Sequence, residues 1–240
     1  MIAHRGASSR APESTAAAIR LALRNRSDMI ELDVQMTRDG RLVIFHDERL
    51  ERTTNGRGRL TAWPYARLAR LDAGGWFSAR FRGERILLVS QALRLIPPPV
   101  MVNLELKPSR RADRGGLVPR VVACVRRSRA WRRTVISSFD ASLIARIRAA
   151  APSLATALLC RARPTASLRQ TAALGCAAWH PQTRLVTPAR VRAAHRDGLR
   201  VHAWTVDCLS EARRLLRAGA DGVFTNRPSR LRPLVARMRA

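Results

Sequence analysis

Short apolar runs rich in valine, isoleucine and leucine alternate along the chain with amphipathic stretches of arginine, alanine and leucine. A strand covered on both faces needs few polar positions, whereas a helix covering it needs one apolar stripe, so the alternation reads as βα units around a parallel sheet. Eight strands are predicted, at Met1–His4, Met29–Val34, Val100–Glu105, Thr134–Ser138, Ala155–Leu159, Ala177–His180, Val201–Trp204 and Gly222–Thr225. Helices are expected between and after them, over Glu13–Arg24, Ser90–Leu95, Leu117–Arg129, Ala141–Ala150, Ala166–Leu174, Pro188–Arg196, Leu209–Arg217 and Pro228–Met238. Pro188 and Pro228 stand where a first-turn proline is tolerated, and Gly198 and Gly219 read as helix stops. Eight alternations in 240 residues fit a closed (β/α)8 TIM barrel, with the whole chain as one domain.

One region breaks the rhythm. After a hairpin strand, Leu42–His46, residues 47–85 carry Thr53-Thr54-Asn55-Gly56, Gly58, Pro64, Gly74-Gly75 and Gly83, with Trp63, Trp76 and Phe77 among them. A loop of this length with large aromatics is expected to be a small inserted subdomain folded over the barrel mouth.

Charge changes the picture less than its size implies. The formal net charge is +28, yet Lys107 is the only lysine among 45 cations, and the arginines are spread through every segment. Without a polybasic tail or an aromatic-interleaved basic stripe, this predicts nonspecific attraction to polyanions and no specific nucleic-acid partner. No run of about 18 apolar residues occurs, which excludes a transmembrane helix. The first residues are too polar for a secretory signal. Cys124, Cys160, Cys176 and Cys208 are scattered without a C-x-x-C pair, so neither a zinc site nor a disulfide framework is expected, and a cytoplasmic location follows.

With only 17 acidic residues, their placement is informative. Glu31 and Asp33 lie two apart on a strand, so alternation points both to one face, and Glu105 ends the following barrel strand. Carboxylates gathered at strand ends of a barrel need a cation. Three oxygen ligands suit Mg²⁺ or Ca²⁺ better than zinc. Lys107 would face the same side as Glu105 and offset charge on a phosphate oxygen. His4 and His46 each end a strand at the same rim and form an expected acid/base pair. His180 and His202 have weaker claims, and His195 is expected on a solvated helix.

The stretches His4-Arg5-Gly6-Ala7, Ala11-Pro12-Glu13, Glu31-Leu32-Asp33-Val34 and Phe45-His46-Asp47 together resemble the signature of the glycerophosphodiester phosphodiesterase family. Leu71–Phe77, Asn103–Lys107, Ser137-Ser138-Phe139, Trp204-Thr205-Val206-Asp207 and Asp221–Pro228 continue the resemblance in order along nearly the whole chain. The resemblance implies a divalent cation on Glu31, Asp33 and Glu105, His4 and His46 as catalytic acid and base, Arg5 and Lys107 on phosphate, and Trp204 beside the substrate's glycerol. The implied reaction is hydrolysis of a small glycerophosphodiester to glycerol 3-phosphate and an alcohol. Ser14 replaces the asparagine usual after Pro-Glu and is expected to cap the following helix. Leu87-Leu88-Val89-Ser90-Gln91 departs from the usual proline-threonine-leucine-glutamate-glutamate. Two other readings compete: a lipid-headgroup phosphodiesterase with a hydrophobic groove beside Trp76, Phe77 and Phe81, and a noncatalytic module binding nucleic acid through its basic surface.

Overall fold

Parallel pairing runs without a break around a closed barrel in the computed structural model, which describes residues 1–108 and 116–237. The strands are β1 (Ile2–His4), β2 (Met29–Met36), β3 (Leu42–Ile44), β4 (Met101–Leu106), β5 (Thr134–Ser138), β6 (Ala155–Cys160), β7 (Ala178–Pro181), β8 (Arg200–Ala203) and β9 (Gly222–Thr225). All but β3 form the barrel, closed where β1 pairs with both β2 and β9. The short β3 instead lies antiparallel on the extended end of β2. The helices are α1 (Ala16–Arg24), α2 (Tyr65–Leu68), α3 (Val89–Leu95), α4 (Leu117–Arg127), α5 (Ala141–Ala150), α6 (Pro164–Ala173), α7 (Pro188–Arg196), α8 (Leu209–Arg217) and α9 (Pro228–Arg237). The predicted end of the last helix, Met238, lies outside the described residues.

Two outer cores follow from period-two alternation on the strands and apolar stripes on the helices. Ile30, Leu32, Val34, Leu104 and Ile136 pack beneath α1, α3, α4 and α5, while Trp179, Val201, Val223 and Leu215 form the core under α6 to α9. Inside the barrel, Ile2, Met29, Val135, Ala157, Ala178 and Phe224 make an apolar layer. Fully burying one such leucine or isoleucine contributes roughly 1.5–3 kcal/mol, so these layers hold the strand ends in place.

Local signals set the helix starts. Thr187 and Asp140 accept backbone N–H bonds at the starts of α7 and α5, and Pro188 and Pro164 occupy first-turn positions. The residue capping α1 is Thr15, whose hydroxyl accepts from the Ala18 N–H. The expected cap, Ser14, instead adopts a left-handed conformation with φ 62° and its hydroxyl has no partner, because the chain turns sharply there to bring Glu13 back toward Arg5. β8 ends at Ala203, and Trp204 extends the parallel pairing only through a single bridge to Gln182.

Residues 47–85 carry little regular structure and pack Leu50, Leu60, Leu68 and Ala73 on Val43, Phe45 and Ile86. The Asp72 carboxylate gathers the backbone N–H groups of Gly74, Gly75 and Gly83. Glu84 accepts the Ala17 N–H at the start of α1, where a carboxylate is favoured by the helix dipole. Trp76 is 41% exposed, and its ring meets Phe77 edge-on, as Phe77 does Phe81.

Candidate active site

The C-terminal strand ends surround a cavity of about 460 Å³ lined by His4, Arg5, Glu31, His46, Glu105 and Lys107 on one side. Pro108, Phe139, Leu159, Arg161, Trp204, Thr205 and Phe224 complete it. Strand register explains the acidic floor. Asp33 lies directly across from Glu105 on β4, and Glu31 lies across from His4 on β1, so the two carboxylates of β2 face a third carboxylate on one side and an imidazole on the other. Ligand atoms of Glu31, Asp33 and Glu105 lie within 4.8 Å of one another, and all three residues are buried.

Lys107 Nζ stands 2.8 Å from Asp33 Oδ1 and also donates to Glu105 Oε1. Arg5 Nε lies 3.2 Å from Asp33 Oδ2, Arg5 Nη1 donates to Glu13 Oε1 at 3.0 Å, and the Arg5 backbone N–H donates to Glu31 Oε2 at 2.9 Å. Burial acts to raise the Asp33 carboxyl, but the Lys107 and Arg5 charges outweigh it and hold it below the ordinary range. Glu31 goes the other way: burial and the adjacent Asp33 and Glu105 charges push it well up, and its Oε1 has no hydrogen-bond partner. Burial and the Asp33 charge likewise raise Glu105. Three buried carboxylates against two cations, with Glu31 Oε1 and both Asp33 oxygens lacking hydrogen-bond donors, are a donor set that fits a hard divalent cation.

The two imidazoles are held differently. His4 Nδ1 is 2.8 Å from Asn226 Oδ1. The Asn226 amide is oriented by Asp207, which accepts its Nδ2–H at 2.7 Å, its backbone N–H at 2.8 Å and the Thr225 hydroxyl at 3.0 Å. Because the amide nitrogen is committed to Asp207, its oxygen must accept, so His4 carries its proton on Nδ1 and turns Nε2 inward. Burial and the Arg5 charge push the His4 imidazole down to about 4. His46 Nδ1 instead meets Asp47 Oδ1 at 2.6 Å. Arg52 donates to Asp47 and, through Nη1 and Nη2, to Glu13 at 2.9 and 2.7 Å. Burial raises Asp47, but the Arg52 and His46 hydrogen bonds outweigh it and bring it to about 2. Behind His4 the chain turns through Gly6, where φ is +81° and an added Cβ would sit 2.7 Å from the Ala18 carbonyl carbon. Only glycine brings this loop so close to α1.

The glycerophosphoryl diester phosphodiesterase family matches residues 4–230. The chain belongs to that family. It is 34% identical over 236 residues to a glycerophosphodiester phosphodiesterase of Caldanaerobacter subterraneus subsp. tengcongensis, covering 98% of this chain and 97% of that protein. A Bacillus subtilis glycerophosphodiester phosphodiesterase is 30% identical over 248 residues, covering 95% of this chain and 83% of it. Among solved structures, an Oleispira antarctica phosphodiesterase in complex with the product sn-glycerol-3-phosphate superposes with a TM-score of 0.91 at 31% identity, covering 98% of this chain and 96% of that one. As a glycerophosphodiester phosphodiesterase, the chain is an enzyme, and it shares its (β/α)8 barrel with the Oleispira antarctica structure.

In this phosphodiesterase, His4, Arg5, Glu31, Asp33, His46, Glu105, Lys107 and Trp204, all named from sequence, converge on one end of the barrel. His180 and His202 pair with each other lower in the barrel, Nε2 to Nδ1 at 3.1 Å. His195 is half exposed beside Asp221 on α7. Sequence reasoning assigned no role to Asp207, Asn226, Glu13 or Phe139, although each stands in a motif that carried the resemblance. Arg52 and Arg161 left no signal at all, because arginine occurs in every segment. Among the described residues, no helix is long and apolar enough to cross a membrane.

Proposed function

We propose that the chain hydrolyses a small glycerophosphodiester to sn-glycerol 3-phosphate and an alcohol, with a Mg²⁺ or Ca²⁺ ion held by Glu31, Asp33 and Glu105. The observation that carries it is the cluster of three buried carboxylates on the cavity floor beneath two cationic side chains and two imidazoles. When bound, the ion supplies positive charge at a phosphoryl oxygen and lowers the pKa of an adjacent hydroxyl. Lys107 and Arg5 add fixed positive charge where negative charge grows in the transition state. His4 and His46 each present Nε2 with the opposite nitrogen tied down, so one takes a proton from the attacking water, whose oxygen bonds to phosphorus as the bond to the alcohol breaks, while the other gives a proton to the leaving alcohol oxygen. Barrel strands carry His4, Glu31, Asp33 and Glu105 to the cavity, and Trp204 lies beside the glycerol. Four unpaired cysteines suit a reducing, cytoplasmic setting.

The test is release of glycerol 3-phosphate from glycerophosphocholine, glycerophosphoethanolamine and glycerophosphoglycerol with Mg²⁺, Ca²⁺ or EDTA. Metal-dependent release from at least one supports the assignment, and no release from folded protein with either ion removes it. Glu105→Gln should abolish metal-dependent turnover and weaken Mg²⁺ or Ca²⁺ binding by calorimetry while leaving the thermal transition of the metal-free protein in place. Wild-type metal affinity in that variant would remove Glu105 from the ligand set.

A further inference from the structure

Beyond the phosphate-binding groups, the cavity extends into a lobe walled by Phe139, Leu159, Trp204 and Phe224. The Trp204 ring meets Phe139 edge-on, with centroids 5.5 Å apart. This lobe is not a plain apolar slot, because Arg161, just after β6, lays its guanidinium over the Phe139 face at 4.2 Å. The Arg161 backbone carbonyl accepts from Arg184 Nη2 at 2.9 Å, which ties down the loop carrying it. Its guanidinium has no hydrogen bond or ion pair among the described residues. Trp204 Nε1 already donates to the His180 carbonyl at 2.7 Å, so the indole N–H cannot serve a ligand.

A guanidinium stacked on an aromatic face keeps its N–H edge free to donate. Given a glycerophosphodiester in this cavity, we propose that Arg161 is a specificity-determining residue: it caps the aromatic lobe with hydrogen-bond donors and so selects a hydroxyl-bearing glyceryl group over an acylated one. The chemistry is one-sided. A glyceryl hydroxyl accepts from the guanidinium while its carbon skeleton lies on Trp204 and Phe139. An acyl chain in the same place strips water from a charged group and returns no hydrogen bond. The lobe therefore takes the glycerol end of water-soluble, deacylated diesters and rejects lysophospholipids.

Glycerophosphoglycerol is the suitable probe, because both of its ends are glyceryl and either can enter the lobe. Its turnover is compared with that of its monohexanoyl ester, kept below the micellar range, in wild type, Arg161→Leu and Arg161→Lys. Loss of a charged hydrogen bond to bound substrate should raise KM for glycerophosphoglycerol roughly 10-fold in Arg161→Leu, with kcat changed by less than about 2-fold. In the same variant the preference for the deacylated diester over the hexanoyl ester should fall roughly 10-fold. Arg161→Lys, which retains a donor, should recover part of the KM. An unchanged KM and an unchanged preference in Arg161→Leu would overturn the assignment and leave the phosphodiesterase reading standing. No turnover of either compound by metal-loaded wild type would remove that reading and this inference with it.

Discussion

The two imidazoles of one site rest on opposite kinds of support. His4 is backed by Asn226 and Asp207, groups at the end of β9 and in the loop after β8, so its partners belong to the barrel frame. His46 is backed by Asp47 and Arg52, at the start of the irregular 47–85 segment, and Arg52 ties that segment to Glu13. The first arrangement is mostly enclosed, and each member satisfies a polar atom that solvent reaches poorly. The second is a half-exposed ion-pair chain, with the Arg52 side chain 46% accessible. Two imidazoles lining one cavity thus do not require equal anchoring. The barrel orients one group by buried hydrogen bonds, and the irregular 47–85 segment orients the other by charge that water partly screens.

Removing either imidazole is the bluntest way to test whether the two sides are equivalent. His4→Ala and His46→Ala should each lower kcat about 10² to 10⁴-fold on a natural diester, measured as glycerol 3-phosphate release. A p-nitrophenyl ester, whose leaving group needs no proton, should restore much of the activity in whichever variant lacks the acid. Rescue of both variants, or of neither, would break the division of labour between the two walls.

Acid should strain the buried side of the barrel. Burial pushes His202 down to about 4 and His180, in contact with it, well below the ordinary imidazole value of 6.5. Both stay neutral in the folded chain while the unfolded chain takes up protons below about pH 6.5, so the unfolded state binds more protons and stability falls as pH drops from about 6.5 toward 4. His202 alone accounts for roughly 3 kcal/mol of that loss at its full extent. Urea unfolding at pH 7, 6 and 5 measures it. His202→Gln should flatten the dependence, and an undiminished slope in that variant would remove the attribution.

Between the two walls stands Lys107, bridging Asp33 and Glu105. Lys107→Arg keeps the charge but replaces a compact ammonium with a longer planar fork, and kcat should fall on the order of 10-fold or more. Unchanged turnover would mean that charge alone suffices there.

The supports themselves differ most finely. Asp207→Ala leaves the Asn226 amide, the Thr225 hydroxyl and a backbone N–H without their acceptor, which should cost about 2–3 kcal/mol of stability in urea unfolding and lower kcat about 10-fold. Arg52→Ala should cost under about 1 kcal/mol and reduce kcat only a few-fold, with a smaller defect in high salt where the wild-type ion pairs are already screened. Equal stability losses in the two variants would erase the contrast between a hydrogen-bonded wall and an ionic one.

How much of this was legible beforehand depends on the kind of information. Strand and helix order followed from hydrophobic period, because burial on a barrel imposes a repeating pattern that each segment carries by itself. Glu31 and Asp33 could be placed on one face by alternation, and Lys107 stood out because no other lysine competes with it. The exact ends of elements were less legible: Ser14 looked like a cap, yet the turn that delivers Glu13 to Arg5 moved the cap to Thr15. Arg52 and Arg161 were invisible, since 45 cations spread along the chain offer no contrast by which two of them could be singled out.

By itself, then, the sequence determined the alternation of elements, the family to which the chain belongs and the chemical types at the barrel rim. These are properties of local pattern and of residues rare enough to be noticed. Only the tertiary structure decided which nitrogen of His4 faces the cavity, that Asp207 fixes it through Asn226, and that Arg161 covers Phe139. Each of these depends on side chains far apart in the chain and brought within about 3–5 Å by barrel closure, where hydrogen-bond direction and stacking are set by geometry rather than by residue type.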